Sequence, residues 1–265
     1  SPPSARAGGT LDGFRAYMAT GALEAMGVNT LWLSPLYLNP DGEFPGNDGR
    51  LYSSYHGYWP KETRRTDPRV ATEAEVDAFM AEAHARNLRV LFDVVPNHVH
   101  AEHSYFRERP TDAGFNIASP PCICGQGACD WGRYIQTCWF APYMPDLDWR
   151  DPATARRAVD DVTFWLDRFD ADGVRIDAVP MMPRAATRRI VARLRERFEH
   201  PGNPLMLLGE NFTGPDGYAS LRYHLGPYGL DSQFHFPLMW ALRAAIAHGG
   251  QGLDAVADAV RIGEE

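Results

Sequence analysis

Two stretches decide the fold: Gly173-Val174-Arg175-Ile176-Asp177-Ala178 and Leu207-Leu208-Gly209-Glu210-Asn211. Each is a short apolar run that ends in an acid, and the acids, Asp177 and Glu210, lie 33 positions apart, about one strand-helix-strand repeat. If both runs are parallel strands of one barrel, the acids stand at its C-terminal mouth on neighbouring strands, where barrel enzymes keep their chemistry. An Asp facing a Glu there suggests glycoside cleavage.

The same rhythm extends in both directions. Apolar residues recur at helical spacing over residues 11–26 and stop at Gly27, after which Val28-Asn29-Thr30-Leu31-Trp32-Leu33-Ser34-Pro35 reads as a buried strand. Residues 36–69, rich in Gly, Pro, Asn, Asp and Tyr, read as a long loop over the mouth. An amphipathic helix over 72–86 leads into a strand over 87–95. Residues 99–149 break the rhythm with Pro, Gly and all four cysteines, and read as an inserted subdomain. Asp151 caps a helix over 152–169 with Pro at its first position. Beyond Asp177 come a helix over 183–198, a strand over 205–210, a short helix over 218–225, a strand over 230–236 and one or two helices over 238–260. About five strand-helix units are present where an eight-fold barrel needs eight. The expected class is therefore α/β, a (β/α)8 barrel lacking its first strand and last two units, with the barrel domain at 1–98 and 150–265 and the insertion at 99–149.

With 45% hydrophobic and 12% aromatic residues, the chain of 265 can bury a large core. A net charge of -8 disfavours nucleic acid or anionic lipid as the main partner, since both want clustered Lys and Arg. No run approaches the roughly 18 apolar residues of a membrane-spanning helix. The start, Ser1-Pro2-Pro3-Ser4, has neither an initiator Met nor a signal-peptide core, so the true N-terminus is expected to be missing. Cys122, Cys124, Cys129 and Cys138 lie within seventeen residues and form a local staple. Disulfides, a zinc site and free thiols all fit, although Cys-x-Cys is tighter than the usual zinc spacing.

Two residues before Asp177 on a strand, Arg175 emerges on the same face. Its charge would keep Asp177 ionised and its fork would orient it, so Asp177 reads as a nucleophile. Glu210 lacks a basic neighbour in sequence, and an apolar setting would raise its pKa into the acid/base role. The same two acids equally suit strand-end capping or ion pairing. Asp93-Val94-Val95-Pro96-Asn97-His98 adds polar groups to the mouth: His98 can donate to a sugar hydroxyl, and Asn97 suits calcium, or else both simply turn the chain. In Tyr55-His56-Gly57-Tyr58-Trp59-Pro60, aromatic rings can meet the C-H faces of a sugar; Tyr58 is the better platform, and Trp59 serves equally as a core anchor. Asp146 and Asp148 can supply a calcium ligand beside Asn97 or cap the following helix.

Taken together, these segments resemble the alpha-amylase family, glycoside hydrolase family 13, from about Leu11 to Pro237. Residues 93–98, 173–178 and 207–211 look like the family's first three signature regions, and 144–148 like the extra region of its inserted domain B. The resemblance implies a barrel glycosidase acting on alpha-linked glucose. Asp177 would be the nucleophile, Glu210 the acid/base and Arg175 the nucleophile's neighbour, with His98 and Tyr58 at the cleaved sugar and His56, Trp59 and Asp93 in the substrate site. Asn97 and Asp146 would bind calcium, with a backbone carbonyl near Met181. Residues 99–149 would be domain B.

The chain departs from the pattern in three places. The family's fourth region, a His-Asp pair that brings the third catalytic carboxylate, has no counterpart, because His248 precedes Gly. A chain without that acid is expected to be nearly inactive alone. A Lys-His pair common after the nucleophile is replaced by Pro180-Met181, and Asp-Ala-Val-Pro also occurs in trehalose synthase-like members. Met-Pro-Asp-Leu suggests the group between oligo-1,6-glucosidases and neopullulanases. The leading expectation is a retaining alpha-glucan hydrolase cutting alpha-1,4 links in starch or maltooligosaccharides. Its rivals are a transglycosylase or maltose-trehalose isomerase, a non-catalytic carbohydrate-binding protein and, more remotely, a metal-dependent hydrolase. The cysteines and a starch-like substrate suggest a secreted or periplasmic protein.

Overall fold

The computed structural model describes residues 8–108, 114–117 and 121–264. The reading of the first four residues, and parts of the 99–149 insertion, lie outside them.

Helices α1 (Leu11–Met18) and α2 (Ala22–Ala25) precede strand β1 (Thr30–Leu33). The single helix expected over 11–26 is broken at Gly21, whose φ of 75° no continuing α-helix allows. The expected loop 36–69 is more ordered than its composition implied. It forms two antiparallel ribbons, β2 (Tyr37–Leu38) with β5 (Glu62–Thr66), and β3 (Glu43–Pro45) with β4 (Leu51–Ser53). These strands are too short and polar to show a period-2 pattern, so composition misled.

Helix α3 (Glu73–Ala85) begins in a capping box: the Thr72 hydroxyl accepts from the Glu75 amide, and the Glu75 carboxylate accepts from the Thr72 amide at 2.6 Å. Strand β6 (Arg89–Val94) follows it. In the insertion lie two one-turn helices, α4 (Ser104–Arg107) and α5 (Trp131–Tyr134). Asp151 accepts from the Thr154 amide at 2.8 Å and starts α6 (Pro152–Phe169), as expected. The buried face of α6, Ala155, Ala158, Val162, Trp165 and Phe169, repeats every three or four residues and covers the sheet. Strand β7 (Gly173–Ile176), helix α7 (Arg184–Phe198), strand β8 (Met206–Gly209) and helix α8 (Tyr218–His224) continue the alternation.

The strand expected over 230–236 shrinks to β9 (Ser232–Gln233), because His235 and Pro237 open the next helix, α9 (Phe236–Leu242). A π turn follows, and the paired glycines at 249 and 250 separate it from α10 (Asp254–Glu264).

The main sheet is parallel, in the order β1-β6-β7-β8-β9. Strand β7 is buried on both faces, which is why its neighbours in sequence read as an unbroken apolar run. Val174, Ile176 and Leu207 are fully buried, each contributing about 1.5–3 kcal/mol. At Gly173 a Cβ would collide with the backbone of Met206, so only glycine lets β7 lie against β8 here. The register sets Asp93 opposite Arg175 and Val94 opposite Ile176, which in turn faces Gly209. The Asp177 amide then donates to the Val94 carbonyl and the Glu210 amide to the Ile176 carbonyl, both at 2.9 Å. Asp93, Asp177 and Glu210 thereby rise together at the C-terminal end of the sheet.

Candidate active site

Arg175 ties the three acids together. Its Nη1 donates to Asp177 Oδ1 at 2.7 Å and to Asp93 at 2.8 and 3.0 Å, while Nη2 lies 2.9 Å from Glu210 Oε2. A planar fork can serve neighbouring strands at once in a way a Lys ammonium cannot. The guanidinium is 3% exposed and lies among rings, with its carbon 5.3 Å from the Trp32 centroid and 5.5 Å from that of Tyr58. Arg175 thus lies on the same face of β7 as Asp177 and in contact with it. Glu210 differs from its sequence reading, because the basic group missing from its sequence neighbourhood reaches it from β7.

Burial raises the pKa of both Asp177 and Glu210, and Arg175 opposes that rise in each. The two carboxyls also act on one another, which lowers Asp177 and raises Glu210. One proton held between them on Glu210 is the arrangement this favours. Asp177 is the more enclosed, with 12% of its side chain exposed against 29% for Glu210.

Asp93 accepts from the Tyr58 hydroxyl at 2.7 Å and from Trp32 Nε1 at 3.1 Å besides Arg175. Burial nevertheless pushes its carboxyl up to about 7. With every contact turned inward, Asp93 positions Arg175 and Tyr58 and is not the substrate-binding residue expected. Burial beside Asp93 likewise raises the Tyr58 phenol.

An open cleft of about 410 Å³ reaches Asp177 and Glu210, and Tyr58, Trp59, His98 and Phe140 are among its walls. Trp59 borders the cleft and also packs on Phe44 and Tyr143. His56 is absent from these walls. Its Nδ1 accepts from the Tyr58 amide at 3.0 Å and its ring meets Trp59 at 4.7 Å, so it shapes the turn behind the platform. His98 borders the cleft with its ring, but Nε2 is 2.9 Å from the Tyr58 carbonyl and Nδ1 is 3.3 Å from the Asn97 amide. Both nitrogens thus face the protein, and the sugar-hydroxyl donor expected of His98 is already engaged. Burial drops its pKa to about 4, so the ring is neutral.

Sequence reasoning passed over Trp32 and Phe140. Trp32, read as part of a buried strand, is 45% exposed and faces the cleft, while Leu31 and Leu33 point into the core. The alternation along β1 carried that signal. Phe140 had none beyond its place two residues after Cys138.

Asn97 and Asp146 meet, as the calcium reading requires: Asp146 is fully enclosed, and its carboxyl accepts from the Asn97 and Asn116 amides, the latter at 2.7 Å. Asp148 is turned away onto Arg150 at 2.7 Å. Among the described residues no cluster of three His, Cys, Asp or Glu stands ready for a metal. The cysteines form disulfides, Cys122–Cys129 and Cys124–Cys138, which replaces the zinc and free-thiol alternatives. Among the described residues no helix is long and apolar enough to cross a membrane.

Residues 6–248 match the alpha-amylase catalytic domain. The chain is similar to alpha-amylase 2 of Schizosaccharomyces pombe, 27% identical over 97% of this chain and 42% of that protein. It is 25% identical to a cyclomaltodextrin glucanotransferase of a Bacillus species, over 86% of this chain and 33% of that one. It thus spans less than half the length of these curated relatives. Among solved structures, the alpha-amylase of Geobacillus thermoleovorans complexed with acarbose superposes with a TM-score of 0.74 at 25% identity, over 92% of this chain and 49% of that one. The gamma-cyclomaltodextrin glucanotransferase of alkalophilic Bacillus clarkii shares the fold, with a TM-score of 0.81 at 23% identity, covering 98% of this chain and 38% of that one. With its parallel sheet, its acids at the sheet's C-terminal end and a match over nearly all its length, the chain belongs to the alpha-amylase family.

Proposed function

We propose that the chain carries the catalytic site of a retaining alpha-glucan hydrolase that cleaves alpha-1,4 bonds in starch or maltooligosaccharides. The observation that carries this reading is the single Arg175 fork, which donates to Asp177 at 2.7 Å and lies 2.9 Å from Glu210, so that both acids flank one guanidinium at the same cleft. Retaining enzymes hold their two carboxyl groups roughly 5 Å apart, whereas inverting enzymes leave room for a water between the acids; two acids bridged by one guanidinium favour the closer, retaining arrangement. Glu210 gives its proton to the glycosidic oxygen as that bond breaks, and Asp177 attacks the anomeric carbon to form a glycosyl ester. Glu210, now a carboxylate, takes a proton from water, which displaces Asp177 and restores both groups. Arg175 keeps Asp177 ionised and aimed, Asp93 holds Arg175, and Tyr58, Trp59 and the His98 ring wall the sugar. The acarbose complex of the Geobacillus relative supports a sugar-like ligand for this cleft.

In this reading the five parallel strands are part of an eight-fold barrel and residues 99–149 are its domain B. The third carboxylate of the family pattern is not among the described residues. Two disulfides suit an oxidising compartment outside the cytoplasm. Calcium, where bound, would be held by Asp146 and Asn97. The buried Asp146 carboxyl, which among the described residues is met by the amides of Asn97 and Asn116 and by no basic group, suits a hard cation, and the ion would tie the end of β6 to residues 99–149.

The test is proton NMR of the products from maltoheptaose, made by a form of the protein that supplies the third carboxylate of the family pattern, with D177N as control. Shorter oligosaccharides released as alpha anomers, and no turnover by D177N, are expected. Beta anomers, or persistent D177N activity, sink the assignment. The similarity to glucanotransferases favours transfer as the second reading, and longer or cyclic glucans without new reducing ends would establish it.

A further inference from the structure

The two disulfides enclose no catalytic group, yet the strand they staple leads straight into the cleft. Within residues 121–140, Cys124, Cys129 and Cys138 form an apolar cluster of their own, packed with Cys122 and Tyr134, while Ile123 and Trp139 are buried beside it in sequence. Regular structure here is limited to the one turn of α5 and an isolated bridge between Ile123 and Trp139. That bridge is held from both sides: the Trp139 amide donates to the Cys122 carbonyl at 2.8 Å and the Cys124 amide to the Trp139 carbonyl at 2.9 Å. The Cys124–Cys138 bond closes the same pair of segments covalently, and the Cys138 amide donates to the Tyr134 carbonyl at 2.9 Å. Trp139 is anchored further by its Nε1, which donates to the Asn116 carbonyl at 2.6 Å.

Phe140 is the next residue, and it turns the other way. Its ring is half-buried, borders the cleft that holds Asp177 and Glu210, and meets the His98 ring edge-on at 5.4 Å. Trp131, at the start of α5 and 44% exposed, extends the aromatic surface with its ring 6.0 Å from that of Phe140. A sugar ring offers C-H faces to such a surface, and a ring held in place loses little freedom on contact.

We propose that Phe140 is a specificity-determining residue that stacks on a sugar unit of the bound alpha-glucan, and that the Cys124–Cys138 disulfide is its positioning element. This rests on the alpha-glucan reading of the cleft. The disulfide touches no sugar. It fixes residues 138–140 before the ligand arrives, so the ordering cost is met in folding and not in binding. The Cys122–Cys129 bond closes a smaller loop that ends at 129, well before Phe140, whereas Cys138 lies two residues before it, so the influence of the first bond on binding is correspondingly weaker.

The experiment is calorimetric titration of the full chain with maltoheptaose in the D177N background, where affinity is read without turnover. F140A and C124S/C138S should each weaken binding about tenfold, the value of one well-placed aromatic contact. F140Y should restore it, and C122S/C129S should change it less than threefold. The triple variant F140A/C124S/C138S should bind no worse than F140A, because the disulfide acts through Phe140. Unchanged affinity in F140A overturns the stacking role. Weakening in the triple variant that multiplies the separate losses overturns the positioning role. If C124S/C138S fails to fold, F140A, F140Y and W131A with both disulfides intact still decide whether the aromatic surface binds sugar. Maltoheptaose binding by the unsubstituted chain supports the alpha-glucan reading with or without turnover, and loss of that binding in F140A then decides the Phe140 role separately. Absence of binding by every protein overturns it.

Discussion

Replacing Arg175 with Met keeps most of the side chain's volume but removes the one cation that Asp93, Asp177 and Glu210 share. Arg175 is 3% exposed, and it makes contacts of 2.7 to 3.0 Å to all three acids. Removing one partner of a buried ion pair costs about 3–5 kcal/mol, because the remaining charge is left without compensation. At pH 8 the expected loss is therefore about 4 kcal/mol, or roughly 10 °C in melting temperature for a chain of this size. The loss must also depend on pH. Asp93 already sits near 7, and both Asp177 and Glu210 are raised; without the guanidinium all three rise further. A carboxyl whose folded pKa is raised contributes stability that is present below its unfolded pKa and lost as pH rises through the folded value. The variant should thus fall further behind the parent between pH 5 and pH 8. Urea unfolding followed by tryptophan fluorescence at both pH values measures this. A penalty under about 1 kcal/mol at pH 8, or one larger at pH 5 than at pH 8, refutes the view that Arg175 neutralises a buried acidic cluster.

His103 is fully buried, caps the first turn of α4 by accepting from the Tyr105 amide at 3.0 Å, and is pushed by burial down to about 3. Its neutral form contributes stability above the unfolded value near 6.5 that is lost as pH falls toward 3. The advantage of the parent over H103N, which keeps a capping acceptor, should shrink by about 3 kcal/mol between pH 7 and pH 4 in urea titrations, and a constant difference would contradict the assigned burial. G173A forces a Cβ onto the Met206 backbone and should cost about 3 kcal/mol in a thermal melt, whereas G250A, which meets open space, should cost almost nothing. Equal melting temperatures for the two would show that β7 and β8 do not approach as described. If Asp146 and Asn97 hold calcium, chelation should lower the melting temperature and added calcium restore it; a melt indifferent to both would remove calcium from the proposal.

Much of the sheet was legible because parallel strands covered on both faces are largely apolar, and some helices announced their ends. Asp151-Pro152 fixed one helix start to the residue, whereas the helix read from 72 begins at Glu73 because Thr72 is its cap. The pairing of Arg175 with Asp177 followed from side chains two apart sharing a face of a strand. What could not be read depends on distance across the fold. Glu210 gains its cation from a strand 35 residues earlier in the chain, and nothing in its own neighbourhood reports that. Asp93 looked like a binding group because it ends a strand at the mouth, but Tyr58, Trp32 and Arg175 turn it inward. His56 and Tyr58 sit in one aromatic stretch of sequence and face different surroundings once the Gly57 turn is made, with φ at 86° and the Pro35 carbonyl where a Cβ would be. The cysteine cluster announced a staple without its pairing, since four cysteines allow three connectivities.

The site also explains why the register of the sheet is more than a packing matter. Asp93, Arg175 and Leu208 stand level on β6, β7 and β8, and the acids beyond them take their height from the same ladder. A slip of one residue between β6 and β7 would turn Arg175 toward the helices and leave Asp93 facing an aliphatic side chain, since alternate residues take opposite faces. The register is held against that slip by contacts that contain no catalytic group: Gly173 packed on the Met206 backbone, and Val174 and Ile176 buried beneath the helices. The guanidinium adds a second constraint, because its two terminal nitrogens reach acids on both sides only when the three strands are level. Fold and site thus select the same arrangement, the sheet through apolar burial and the fork through charge, so a change that loosens β7 should reduce activity before it unfolds the chain.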